Sequence, residues 1–188
     1  DTRWFAGTEP SPVDSGRPTL LGHVQWDWLK EGLMASQAPF KILASGMIWN
    51  GAVRPGKKDH WETYSYERDA LFSFFGEQRI SGVVLMGGDI HRSRVLRYPT
   101  KNTVGYDLTE FISSPLANTV IETADVASPY LLHDVGQQET FMVLTADTLK
   151  EGKESLLMRC MNAQGEELFR TQLLLSELGA SSLSGPRE

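Results

Sequence analysis

The stretch Ile80-Ser81-Gly82-Val83-Val84-Leu85-Met86, continued by Gly87-Gly88-Asp89-Ile90-His91-Arg92-Ser93, decides how this chain is read. Its first half is apolar and rich in β-branched residues, the mark of a strand buried on both faces. Just upstream, Asp59 offers a helix N-cap with Glu62 three residues on, a capping-box pattern. Trp61, Tyr64, Leu71, Phe72 and Phe75 then fall on one face of a helix that runs to about Gln78. Before that helix, Phe40 to Ala44 is a short apolar run followed by Gly46, which predicts another buried strand. Strand, helix, strand in this order is a βαβ unit, with parallel strands and a right-handed crossover.

Further back, Leu21, Val24, Trp28, Leu29 and Leu33 recur at helical spacing and predict an amphipathic helix over residues 20–36. Residues 6–19 are rich in Gly, Pro, Ser and Thr and read as a loop. Forward of residue 93 the pattern changes. Tyr106–Ile112, Phe141–Ala146, Leu156–Met161 and Glu167–Leu174 alternate, as strands of a more antiparallel sheet do, with a hairpin turn at Asn162–Gly165. Residues 176–188 carry no core pattern and read as a frayed tail. The fold class is therefore α/β, with helices and sheets in stacked layers.

A chain of 188 residues is long enough for one domain with a sizeable core. With 40% hydrophobic and 22% charged residues it is globular. Eighteen basic against twenty-four acidic residues give a net charge of −6, which argues against a nucleic-acid-binding surface. No apolar run is long enough to predict a transmembrane helix. Cys160 is the single cysteine, which excludes intramolecular disulfides and cysteine-rich zinc sites. Without a Gly-x-Ser-x-Gly elbow or a P-loop, serine hydrolases and nucleotide kinases are poor readings.

Chemistry gathers where the second strand ends. In open α/β sheets ligands bind beyond the carboxyl ends of the strands. In an extended segment residues i and i+2 point the same way, so Asp89 and His91 would project together with Ile90 turned inward. A carboxylate beside an imidazole suits a metal ion, two glycines permit close backbone approach, and Arg92 offers a planar fork to a phosphate. Spacing alone leaves a second reading open, a glycine turn closed by an Asp–His hydrogen bond. The loop after the first strand, with Trp49, Asn50, Arg54, Lys57, Asp59 and Trp61, ends at the same sheet edge and could roof a pocket, or could be an ordinary solvated loop. His23, His60 and His133 read as surface residues, Cys160 as a small core residue and Arg68 as a surface ion pair.

An ordered series of short motifs ties these segments together: Asp1-Thr2-Arg3; Leu21-Gly22, Gln25 and Trp28-Leu29; Phe40-Lys41-Ile42; Ser45-Gly46; Trp49-Asn50. It continues through Asp59, Trp61, Tyr64, Glu67 and Arg68 to Gly88-Asp89-Ile90-His91-Arg92-Ser93, and closes with Tyr106-Asp107-Leu108-Thr109-Glu110-Phe111 and Ser113-Ser114-Pro115. The series resembles the PhoD-like alkaline phosphatases, a branch of the calcineurin-like metallophosphoesterases, over about residues 1–117. The resemblance implies a four-layer α/β/β/α sandwich with mixed sheets, of which this chain is the C-terminal half, residues 1–175. It implies an enzyme that hydrolyses phosphate mono- and diesters with iron and calcium, zinc and manganese being the other candidate metals, exported to the periplasm or secreted. Asp89 and His91 would be metal ligands, and Arg92 would neutralise the phosphoryl oxygens. Trp49, Asn50, Asp59 and Trp61 would lie near the substrate.

Two departures qualify the match. The Asp-Thr-Arg triplet is usually followed closely by a second arginine, whereas Trp4, Phe5 and Ala6 follow here. The family carries most of its metal-binding aspartates, a cysteine and an asparagine upstream of that triplet. The expected partner is therefore the N-terminal half of the domain, or a second copy of the chain, closing an apolar sheet edge. A non-catalytic module built on the same half-fold is the rival reading.

Overall fold

The computed structural model describes residues 1–116 and 119–179. Helix α1 spans His23–Ala35 and strand β1 Lys41–Ala44. A short 3-10 turn at Gly51–Val53 and another at Trp61–Tyr64 lead into α2, Ser65–Glu77. Strands β2 (Val83–Gly87) and β3 (Ser93–Tyr98), the single turn α3 (Lys101–Val104) and strand β4 (Leu108–Ile112) follow. Strand β5 (Leu131–Val135) precedes the meander β6 (Thr140–Asp147), β7 (Ser155–Asn162) and β8 (Glu167–Leu174).

These strands form a five-stranded mixed sheet, order β1-β2-β4-β3-β5, and a three-stranded antiparallel sheet, order β6-β7-β8. The expected βαβ unit is present, with β1 parallel to β2 in the register Lys41 to Val83. Strand β2 lies between two parallel neighbours, β1 and β4, and its Val83, Val84 and Leu85 are fully buried, as its composition requires. The small sheet contributes Leu156, Met158, Cys160 and Leu173 to the same hydrophobic core. Its last hairpin turns where the sequence predicts, with Gly165 at φ +79° and its amide donating to the Asn162 carbonyl at 3.0 Å. The result is half of an α/β/β/α layered sandwich. Among the described residues no helix is long and apolar enough to cross a membrane.

Four expectations need correction. Strand β4, grouped by its alternation with the antiparallel strands, lies parallel to β2 in the first sheet. Two strands escaped the sequence reading: β3, antiparallel to β4 and continuous with the Asp89 loop, and β5, which carries His133 stacked on Phe169 of β8 at 4.9 Å. The sheet thus has five strands, so β2 already has neighbours on both sides and the edges fall on β1 and β5. In α1 the buried face is set by Trp26 and Leu33, leaving Val24 and Trp28 81% and 68% exposed.

The C-terminal boundary also moves. Leu178 is buried, and its carbonyl accepts from the Gly82 amide at 2.8 Å, so the chain up to 179 is docked rather than frayed. The rest of the predicted tail, 180–188, lies outside the described residues.

Candidate functional site

Strand β2 runs out at Gly87, and the chain turns sharply rather than continuing extended. Asp89 and His91 both adopt left-handed backbone conformations, φ 62° and 56°. Such angles are uncommon outside glycine and concentrate at functional sites. The alternation argument is therefore wrong in its premise, although Ile90 is fully buried as expected. Gly87 serves packing rather than ligand approach. A Cβ there would meet Glu110 Oε1 at 2.6 Å and the Ile48 Cα at 3.2 Å.

The loop around His91 is held from two sides. The His91 amide donates to Ser114 Oγ at 2.9 Å, and its ring Nδ1 lies 2.6 Å from the Thr119 carbonyl oxygen. A carbonyl can only accept, so the proton sits on Nδ1. In the neutral ring Nε2 then keeps its lone pair, the arrangement that orients a metal-ligating histidine.

Asp89 stands in a cluster of four charges. Lys57 Nζ and Arg3 Nη2 converge on its Oδ2 at 2.8 and 2.7 Å. Both also pair with Asp59 Oδ2, Arg3 at 2.5 Å and Lys57 at 3.7 Å. Burial pushes the Asp89 carboxyl up, but the hydrogen bond and charge of Lys57, then Arg3 and His91, outweigh it and hold the group below the ordinary aspartate range. Asp59 is thereby drawn into this cluster and does not cap the helix as predicted. His60 caps only the 3-10 turn before the helix, its Nδ1 accepting from the Thr63 amide at 3.1 Å. Helix α2 itself begins after Tyr64 without a side-chain cap, and Glu62 accepts from the Gly51 amide.

The other candidates are placed as follows. Trp49 and Trp61 are buried and stacked, ring centroids 4.2 Å apart. Their indole N–H groups donate to the Met86 carbonyl and to Ser45 Oγ. They brace the loop against the sheet edge. Asn50 caps the first 3-10 turn through its side chain and opens on a cleft of about 580 Å³ lined also by Arg68, Phe72 and Tyr98, with neither Asp89 nor His91 in its wall. Arg92 does not present a free fork. Its Nε bonds Asp134 Oδ1 at 2.5 Å, its Nη2 reaches Asp125 at 3.1 Å, and only 13% of the side chain is exposed.

Asp134 also accepts from Arg94, which is fully buried. Burial raises the Asp134 carboxyl, but Arg92 and Arg94 more than offset it and the group stays ionised. Removing it strands the Arg94 charge in the core. Asp134→Ala is expected to cost about 3–5 kcal/mol in urea unfolding; a loss under about 1 kcal/mol would mean that water reaches Arg94.

The sequence reading assigned no role to three residues that the structure brings to this edge. Arg3 and Glu110 stood inside recognised motifs, but Arg3 lies 86 positions from Asp89, and no local spacing carries that pairing. Tyr98 sat in an unrecognised strand and donates to Glu110.

The chain sets a carboxylate, an imidazole and two ion-paired cations beyond the carboxyl end of a parallel strand, where open α/β sheets bind ligands. Comparison with known proteins makes this specific. The family model of the PhoD-like phosphatases matches residues 1–165, and the chain belongs to that family. It is 30% identical over 95 residues to alkaline phosphatase D of Bacillus subtilis (strain 168), an alignment covering 46% of this chain and 16% of that protein. It superposes on a solved structure of PhoD with a TM-score of 0.53 and 18% identity, over 87% of this chain and 38% of that one, a likeness of fold. The chain thus spans well under half the length of these relatives.

Metal chemistry was the expectation for this site. Asp89 supplies a hard oxygen and His91 an oriented nitrogen, so both fit a metal. Among the described residues no group of three or more His, Cys, Asp or Glu side chains could hold a metal by itself. The donor set fits as part of a site.

Proposed function

We propose that the chain contributes Asp89 and His91 to a metal-dependent site that hydrolyses phosphate mono- and diesters. The observation that carries this reading is the fixed His91 tautomer beside Asp89 at the end of β2, in a chain of the PhoD-like phosphatase family. A bound metal, iron or calcium by the family resemblance with zinc or manganese as the other candidates, would act as a Lewis acid on the phosphoryl oxygens and acidify a bound water toward hydroxide. The chain's own residues do the rest. Asp89 and His91 would hold the ion, Thr119 and Ser114 fix the His91 ring and backbone, and the Trp49–Trp61 stack braces the loop at the sheet edge. Arg92, paired with Asp134 and Asp125, supports the loop from below, with charge stabilisation of the phosphoryl group left to other cations.

The remaining donors would come from further polypeptide of the same domain, since the chain spans 38% of the solved PhoD chain. We place that partner at the open β1 edge. There Trp28, 68% exposed, and Ile42, 42% exposed, face a groove of about 290 Å³ that also takes in Leu21 and Gln25. A covering segment would pair β1 and bury both side chains. The non-catalytic reading rests on one specific observation, the lack of a third donor among the described residues.

Native mass spectrometry and a phosphate-ester assay on the protein as isolated separate the two. The expected result is a species heavier than 21.0 kDa that carries metal and hydrolyses p-nitrophenyl phosphate until a chelator is added. A homodimer with metal and activity would move the partner role to a second copy. A bare 21.0 kDa species without metal or activity would make the chain a structural module.

A further inference from the structure

We propose that Arg3 and Lys57 are the phosphate-binding cations of this site, held on Asp89 until a metal takes its oxygen. The inference rests on the metal-site reading above and names the residues that would meet the substrate.

Both cations sit on a single atom, Asp89 Oδ2. A metal ion bound to that oxygen would take the place of both cations and repel them. They would not leave the site. Arg3 stays anchored to Asp59 Oδ2 through Nε at 3.0 Å, and its guanidinium lies over Gly46, where a Cβ would stand 2.9 Å from Nη1. Lys57 keeps Asp59 within 3.7 Å. Two positive groups would then share one carboxylate where they now share two, leaving a net positive edge beside the ion.

The neighbouring arginines are committed elsewhere. Arg92 and Arg94 are paired with Asp134, and Arg68 bonds Asp69 and the Trp49 carbonyl. Arg3 and Lys57 alone among these five are held on the carboxylate that a metal would claim. Their chemistry suits an ester phosphate. The Arg3 fork can bond two non-bridging oxygens at once, and Lys57 adds a compact charge that rotates freely to a third. The Arg3 side chain is 47% exposed, so a solute can reach it, while Lys57 at 18% is partly desolvated, which strengthens its pull on an anion.

The test is calorimetric titration of the protein as isolated, first with the metal and then, on the loaded protein, with inorganic phosphate. Arg3→Gln and Lys57→Gln are each expected to tighten metal binding, because a competing cation is gone. Each is expected to weaken phosphate binding by about ten- to a hundredfold, the value of one charge-assisted hydrogen bond. A merely structural role would weaken both titrations together and overturn the proposal. So would unchanged phosphate affinity in both variants while Asp89→Asn abolishes metal binding, an outcome that leaves the metal site standing. Metal binding that is absent from the unsubstituted protein, or untouched by Asp89→Asn, overturns the metal reading and this inference with it. Arg170→Gln, on β8 and paired with Glu167, serves as the reference and is expected to change neither titration.

Discussion

Asp89→Asn and His91→Ala are each expected to lower phosphate-ester hydrolysis by about two orders of magnitude or more, with metal content falling in parallel. The two lose function by different routes. Asparagine keeps the size of Asp89 and an oxygen toward Lys57 and Arg3, but not the charge, so the cluster changes from two positive and two negative groups to two positive and one negative. A site left with excess positive charge repels a cation before any ligand geometry is considered. Alanine at 91 removes the ring, and with it both the metal-facing nitrogen and the bond to the Thr119 carbonyl, while the backbone bond to Ser114 survives. Metal analysis of both variants, beside thermal unfolding to show that they fold, is the decisive measurement. Full metal occupancy and full rate in either variant would remove that residue from the site.

How far the sequence carries can be judged from these same residues. Strand β2 was legible because a run buried on both faces must be apolar at every position, and Val83 to Leu85 are. Strand β7 of the meander was legible because its more buried residues alternate with partly exposed ones, a period of two. Strand β3 was not. Its buried positions include Ser93 and Arg94, whose burial depends on Ser114 and Asp134, both distant in sequence. Strand β4 reads like a half-exposed strand because the polar pair Thr109 and Glu110 interrupts its apolar run, yet all five of its residues are buried.

The site shows the same division. Asp89 and His91 were found by their nearness to the end of a strand, a local property. Their shared direction was inferred from extended geometry, and the loop instead uses two left-handed residues fixed by Ser114 and Thr119. The roles of Arg3, Asp59 and Lys57 come from a charge cluster assembled across the fold. Asp59 was misread because an acidic residue before a helix has a good local role available, and the tertiary partner Arg3 outbids it.

Glu110 illustrates what a fold can hide in a strand, and Glu110→Gln is expected to change the pH dependence of stability more than any other single substitution in this edge. The Glu110 side chain is fully buried on β4, in the space left by the missing Cβ of Gly87. Its Oε1 accepts from the Trp49 amide at 3.0 Å and its Oε2 from the Tyr98 hydroxyl, so it joins the roofing loop to β3. Burial pushes its pKa up to about 7, and the bonds from Tyr98 and Trp49 with the more distant charge of Arg68 offset only part of that rise. The groups facing it are thus Tyr98 from β3, Trp49 from the loop and Arg68 from α2, and none of them neutralises it by contact. Because the folded value lies above the unfolded one, the folded state binds the proton more tightly. The favourable contribution is complete below the unfolded value near 4.5 and is lost as pH rises through about 7. The loss amounts to roughly 3 kcal/mol. Glutamine can satisfy both neighbours without charge, its oxygen accepting from Trp49 and its amide donating to the Tyr98 oxygen. Urea unfolding should therefore find the two proteins alike near pH 4.5 and the glutamine variant more stable above pH 7, with the gap opening between. Glu110→Ala, which empties the space and strands both donors, should instead be destabilised at every pH by about 2–5 kcal/mol. Parallel pH profiles for the native and glutamine proteins would mean that folding does not raise the Glu110 pKa, and that the Trp49 loop is held by a carboxylate ionised near neutral pH.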